Sequence, residues 1–456
     1  MTRERSRRDL LCAGSALLAG ALAGCSAFGG EGGGDTSTDT TTPAEVPEIQ
    51  QFTLTPAPER RLTVAHWLRR PDEQAGFDSM VAGFTESLPE IRVTPPSGSG
   101  ISLTEGGLER RISRGYPPSI WQSEPGGGLG SLVDGDLLID IESSVWDTGG
   151  LKAAYPDDVE ALAGPGEGYY AMPFHGDGLA NLFYNPDILD AAGVDPDAMD
   201  RPQDFLAAVE TIAAETNATP LVQSTGTPWQ VGHIFESVLL GQAGIEGVRR
   251  IHNQADDERV GQAIEDALAV VAPLQQYLPD DAEDIGWESA IDRVLDGRAA
   301  MTVCGDWAVG GPTADAGITS REDGTRGQNW DQMPMPGTTD GFLFTADAFV
   351  APANNPTPQT SRQWLRYCGS AVGQRRFCAE AGSIPLRSGV SADALPAFTR
   401  QQYQRYLDAD ARVPSLIDGL VLSPADYTPY LTAMFRFVNE WDAEGTATEL
   451  RTILQG

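Results

Sequence analysis

Lysine is almost absent from this chain: Lys152 is the only one in 456 residues, and every other basic side chain is arginine. With 65 acidic residues against 31 basic ones, the formal net charge is −34. So little positive charge argues against nucleic acid and anionic membrane surfaces as partners. The carboxylates are spread along the chain and not gathered in a tail. Such a surface suits molar salt, where the Debye length falls to about 3 Å and self-repulsion is hidden. The composition therefore reads as halophilic, with an ordinary acidic protein as the alternative.

Cysteine is scarce as well. Beyond Cys12 and Cys25 there are only Cys304, Cys368 and Cys378, an odd number that cannot all pair. The stretch 363–381 reads as one helix, in which Cys368 and Cys378 would stand about 15 Å apart, beyond disulfide reach. Buried small hydrophobes are the expectation. The four histidines, His66, His175, His233 and His252, have no metal-ligand spacing, so no metal is expected. Leu151 precedes the single lysine, which excludes a P-loop, and there is no Gly-x-Ser-x-Gly elbow. Asp134-Gly135-Asp136 lacks the loop of a calcium site and reads as a turn. Carboxylates are too numerous for any pair to signal glycoside cleavage. Neither catalytic chemistry nor a cofactor is expected.

Long apolar runs are missing after the first 25 residues. Those residues carry Arg7-Arg8, an apolar stretch from Leu10 to Ala23, and Leu22-Ala23-Gly24-Cys25. The stretch is shorter than the roughly 18 residues a spanning helix needs. Paired arginines before it are the pattern of twin-arginine export. The last four residues resemble a lipobox, so cleavage after residue 24 and a lipid on Cys25 are expected, with plain secretion as the alternative. Without the four arginines and two acidic residues of residues 1–24, the net charge becomes −36. Residues 25–59, rich in Gly, Asp and Thr between Gly29 and Pro47, read as a flexible tether that holds the body outside the cytoplasmic membrane.

The remainder is long enough for two or three domains. Strand patterns at Arg61–Trp67, Ile91–Val93, Ser119–Gln122, Leu221–Val222 and Ala299–Val303 alternate with helical ones at Phe77–Leu88, Gly106–Ser113, Pro202–Glu215 and Ser289–Leu295. This alternation predicts α/β architecture with parallel sheets and helices on both faces. Ala394 to Leu454 reads as almost entirely helical.

Several separated segments carry a resemblance. They are Leu62-Thr63-Val64-Ala65-His66-Trp67, Asn181-Leu182-Phe183-Tyr184-Asn185 with Ala192-Gly193-Val194, and Thr227-Pro228-Trp229-Gln230 with Phe235-Glu236-Ser237. Further on come Gly297-Arg298-Ala299-Ala300-Met301 running into Gly305-Asp306-Trp307, Pro334-Met335-Pro336-Gly337-Thr338, and Gly382-Ser383-Ile384-Pro385. In order and spacing they resemble the family 1 extracellular solute-binding proteins of ABC importers, within them the glucose/mannose-binding group. The resemblance implies two α/β lobes of the periplasmic-binding-protein-like fold (type II), joined by a hinge of several crossovers. Residues 60–175 and 338–388 would form the N-terminal lobe, and 176–337 and 389–456 the C-terminal one.

It also implies a sugar held in the interlobe cleft, delivery to permease subunits, no nucleic acid, and a monomer. Trp67, at the carboxyl end of the first strand, would stack on the ligand; core packing is the alternative. Only one tryptophan stands there, because Leu68 follows where the family has a second. Glu73 matches an acidic ligand residue, although Pro71-Asp72 replaces the family's glycine pair. Gln122 matches a glutamine, and Glu124 stands where a histidine is common. Asp177-Gly178 stands where a His-Arg pair is frequent. Trp229, read as lying in a loop after Pro228, would be a ring platform. Asp306 and Trp307 follow a strand end; a carboxylate accepts sugar hydroxyls well, and a helix cap is the alternative for Asp306. The extra carboxylates suit a hydroxyl-rich or amine-bearing ligand and disfavour an acidic sugar. A secreted glycoside-active enzyme and a binding protein for a non-sugar solute are the rival readings.

Overall fold

The computed structural model describes residues 54, 58–94, 108, 111–112, 114–166, 168–310 and 330–455. The expected signal, Cys25, nearly all of the tether and most of the helix expected at 106–113 lie outside the described residues.

The hydrophobic strand patterns fold into two sheets. One contains β1 (Arg61–Ala65), β2 (Arg92–Thr94), β3 (Ile120–Ser123), β4 (Ala171–Gly178), β9 (Gly341–Val350) and β10 (Ala411–Pro414), ordered β10-β9-β3-β1-β2 with β4 also on β9. The other contains β5 (Asn181–Tyr184), β6 (Thr219–Leu221), β7 (Ala299–Cys304) and β8 (Asp331–Pro334), ordered β6-β7-β5-β8. Each sheet is buried under its own apolar cluster. Leu62, Phe174, Phe349 and Trp364 belong to the first, and Leu182, Phe235, Met301 and Phe437 to the second. The chain passes between the sheets at Leu179–Ala180, between β8 and β9, and after β10, where 415–423 lead into the helix Pro424–Glu440. The two-lobe α/β fold with several crossovers is thus what the sequence predicts.

Three expectations change. The sheets are mixed, not purely parallel: β3 and β4 pair antiparallel with β9, and β5 is antiparallel to both neighbours. β4 and β5 leave and enter at a crossover, and β9 returns from the other lobe; a chain that crosses over and comes back runs opposite to the strands it joins. Second, the C-terminal region is not all helix, because β10 lies parallel to β9. Leu395, Tyr403 and Tyr406 pack in the first core, so the chain stays with the N-terminal lobe through Pro414 and does not leave at residue 388. Third, Cys368 and Cys378 lie on two helices, Pro358–Cys368 and Ala371–Ala381, because the Ser370 hydroxyl caps the second by accepting from Gly373 N–H at 3.1 Å. All three described cysteines are buried and free.

Candidate functional site

Carboxyl ends of strands and the crossovers converge on the space between the lobes, where open α/β sheets bind ligands. From the first lobe comes Trp67, half-buried just past β1, whose backbone N–H donates to Gln122 Oε1 at 3.1 Å. Gln122 is 1% exposed and its Nε2 has no partner, a costly state for a buried amide unless a ligand fills it. Glu73 is already employed. Its Oε2 accepts from Arg69 and Arg70 N–H at 2.9 and 3.0 Å, capping the helix Pro71–Ser87. Glu73 thus has a structural role that the sequence did not suggest, a cap made through one carboxylate oxygen on a helix that starts at Pro71.

Glu124 follows β3 and is solvent-exposed. Backbone hydrogen bonds fix its surroundings: Gly127 N–H donates to Leu420 O at 2.8 Å and Gly128 N–H to Gly419 O at 3.0 Å. Gly126, at φ +77°, has no room for a side chain, since an added Cβ would lie 2.1 Å from Leu420 O. The turn after Glu124 is thereby zipped onto the third crossover, beside Asp418. Crowding by protein, then the charges of Asp347 and Asp418, push the Glu124 carboxyl up to about 7.

Asp177, on β4, is buried next to His175, whose Nδ1 is 3.6 Å from Asp177 Oδ2 and whose Nε2 is 3.2 Å from Asp347 Oδ2. Burial alone would lower the imidazole, but the two carboxylates outweigh it and raise it to about 9, so His175 is charged at neutral pH. That charge in turn outweighs burial at Asp177 and holds its carboxyl below the usual range.

Asp306 departs from expectation. It is fully buried, not presented on the cleft surface, and lies in contact with the backbone at Gly178. Nor is it a cap, since Gly305 holds the N-cap position of the short 3-10 turn Asp306–Ala308. Burial, then the charge of Asp177, push its carboxyl far above the usual range. Of this coupled pair, Asp306 is the one that holds a proton more readily and Asp177 the one that gives it up.

The second lobe supplies rings. Trp229 sits in the first turn of the helix Pro228–His252, not in a loop, with Pro228 at N1 where its missing N–H costs nothing. Its ring centroid is 5.9 Å from that of Trp307 and 5.3 Å from that of His233, one helical turn further on. Gly305 permits this, since any Cβ there would meet the Trp307 ring at 2.1 Å. Both tryptophans are half-buried. The buried Gln223 amide holds the frame by donating to Val303 O at 2.9 Å and accepting from Val303 N–H at 3.1 Å. His233 Nε2 lies 3.0 Å from Asp418 Oδ2, joining the rings to the carboxylates.

Asp347, His175, His233 and Asp418 were not picked out from the sequence. Two signals were available: His175-x-Asp177 alternates along a strand, and Trp229-x-x-x-His233 shares a helical face. Among the described residues no group of three His, Cys, Asp or Glu is set to hold a metal, and no helix is long and apolar enough to cross a membrane. A separate cavity of about 610 Å³ lies between Thr339–Phe342 and the helix Ala397–Asp408; Trp67, Glu124, Trp229 and Trp307 do not line it.

The sequence profile of the family described as bacterial extracellular solute-binding protein matches residues 80–403. The chain belongs to that family. Among relatives of this solute-binding protein, it is 29% identical over 397 residues to the xylose/arabinose-binding protein XacG of Haloferax volcanii, covering 86% of this chain and 84% of that one. It is 22% identical over 403 residues to a probable sugar-binding periplasmic protein of Mesorhizobium japonicum, covering 85% and 91%. A similar solved structure is the bacterial solute receptor AcbH, described as preferring β-D-galactopyranose, with TM-score 0.67, 17% identity and coverage of 86% and 97%. A structure from a study of xylan utilization by a thermophilic bacterium gives TM-score 0.70, 14% identity and coverage of 86% and 99%.

Proposed function

We propose that this solute-binding protein is the substrate-binding subunit of a carbohydrate ABC importer, working as a monomer without catalytic chemistry of its own. Twin-arginine export and a lipid on Cys25 would keep it on the outer face of the cytoplasmic membrane, where it hands its sugar to the permease. The observation that carries this reading is the Trp229–His233–Trp307 ring cluster, with Asp418 bonded to His233 and acting by its charge on Glu124 of the other lobe. Rings cover the C–H face of a sugar, carboxylates accept its hydroxyls, and closure removes water from both. The ligand is a sugar. Glucose and mannose follow from the sequence motifs, and xylose and arabinose from the name of the Haloferax relative.

A thermal-shift and calorimetric screen of these four sugars in molar KCl tests the proposal. One or more should raise the melting temperature by mass action and be recovered chemically unchanged. No shift with any of them refutes the sugar reading, and a hydrolysed glycoside would favour the enzyme. Repeating the melts at low KCl tests the halophilic reading, which expects a lower melting temperature there. Cys25→Ser should appear in the medium; a variant still bound to membranes refutes the anchor.

A further inference from the structure

The register of β3 and β9 pairs Trp121 with Val350, Gln122 with Phe349 and Ser123 with Ala348. The pairing ends there, and continuing its register one step beyond β3 sets Glu124 opposite Asp347, whose charge acts on it. Opposite residues of such a ladder share a face with Cβ atoms about 5 Å apart, and like charges there are destabilising. On the other side of β9, Asp347 pairs in register with His175, which also serves Asp177. The zipped glycine turn brings in Asp418, already beside His233.

The charges around Glu124 therefore do not balance. Glu124, Asp347, Asp177 and Asp418 outnumber the two imidazoles. Arg70, which senses Asp177, is already paired with Asp72 at 3.0 Å, and Arg405 faces Asp306 and bonds Asn181. A buried polar group is also left open close by: Gln122 Nε2, on β3 two residues before Glu124, in a side chain 1% exposed. Such an unpaired group at a cleft waits for a ligand. No described trio of side chains is set to hold a metal, so an organic cation is what fits the excess negative charge.

Resting on the sugar-binding reading, we infer that Glu124 and Asp347 form a charge filter in the cleft: the protein binds a sugar carrying a protonated amine more tightly than its neutral counterpart and rejects the corresponding uronic acid. The ammonium would donate to both carboxylates, and a carboxylate brought to the same place would be repelled.

Calorimetry with glucose, glucosamine and glucuronate in molar KCl at pH 7, with xylose as reference, tests this. Glucosamine should bind about tenfold more tightly than glucose, the worth of one charge-assisted hydrogen bond. Glucuronate should give no measurable heat. Glucosamine should also release protons from Glu124, read from the buffer dependence of the heat, whereas glucose should not. In Glu124→Gln the glucosamine-to-glucose ratio should collapse towards one. The unliganded melting temperature checks that variant's fold, and Asp347→Asn gives a second reading of the ratio. Equal or weaker binding of glucosamine, glucuronate bound as well as glucose, a ratio untouched by both variants, or a cleft that takes xylose but none of the three would each overturn the filter. If none of the four sugars binds, it is the sugar-binding reading itself that fails.

Discussion

The two walls of the cleft use opposite chemistry. The first lobe presents strand ends carrying exposed Glu124, half-buried Asp347, and the buried pair His175 and Asp177. The second presents Trp229 and Trp307, rings that rest half on the core and half in the cleft. Buried charges are stable only while each has its counter-charge, so the first wall should couple pH to folding. Rings keep their packing at any pH, so the second wall should affect binding with little regard to proton concentration. On the reading proposed above, one wall would supply selectivity by charge and the other contact area.

The largest expected effect separates the walls by pH. His175 is raised from an ordinary 6.5 to about 9 by Asp177 and Asp347, against its burial. A raised basic group gives its full stabilisation below the unfolded-state value and loses it as pH rises through the folded one. On the order of 3 kcal/mol should therefore disappear between about pH 6.5 and pH 9. Glu236, on the second lobe's helix Pro228–His252 and so outside the first wall, is raised to about 7 mainly by burial and then by Asp418 and adds a loss in the same direction over a lower window, which His175→Gln leaves in place. Melting curves in molar KCl should fall steadily from pH 6 to pH 9.5. His175→Gln should melt lower at pH 6 and show a flatter profile above pH 7. A wild-type profile that stays level across this range would break the contrast between the walls.

A middle-sized effect belongs to the rings. Trp229→Ala should weaken sugar binding by about 1.5 to 3 kcal/mol, roughly ten- to a hundredfold, through loss of a stacking face. Its unliganded melting temperature at pH 6 should fall by less than that of His175→Gln. If Trp229→Ala unfolds the protein while binding survives at lower temperature, the ring belongs to the core and the second wall is not a platform.

The smallest effect falls on Asp306. Its fully buried carboxyl is the one of the pair that holds a proton more readily, so Asp306→Asn replaces one neutral planar group by another of the same shape. Sugar affinity should change by less than about threefold, with stability within about 1 kcal/mol. A loss of affinity above tenfold would return Asp306 to the set of direct ligand residues.

Much of the fold was legible because its signals are local. Alternation at Arg61–Ala65 and Ala299–Cys304 and helical periodicity at Pro202–Glu215 depend on neighbours only a few positions away. β10 was not legible. Ala411-Arg412-Val413-Pro414 is four residues long, ends in proline and stands between two helices; only an edge position parallel to β9 makes it a strand. At the site, Trp229, Trp307, Gln122 and Glu124 could be picked out from motifs. Glu73 could not be distinguished from a cap, because a carboxylate three residues into a helix can serve either role until the backbone N–H groups are in place.

By itself the sequence determined the charge of the surface, the α/β periodicity, the absence of a P-loop and of a Gly-x-Ser-x-Gly elbow, and the order of the motifs that match an extracellular solute-binding protein. All of these are properties of single residues or of short windows. Tertiary structure alone decided that Glu124 comes within reach of the Asp347 charge, that His175 is shared between Asp177 and Asp347, and that Asp306 is buried against Gly178. The partners are separated by up to hundreds of residues, and what each carboxylate does depends on the charge and water around it. Strand register and crossovers set that environment, and neither is written in any one stretch of the chain.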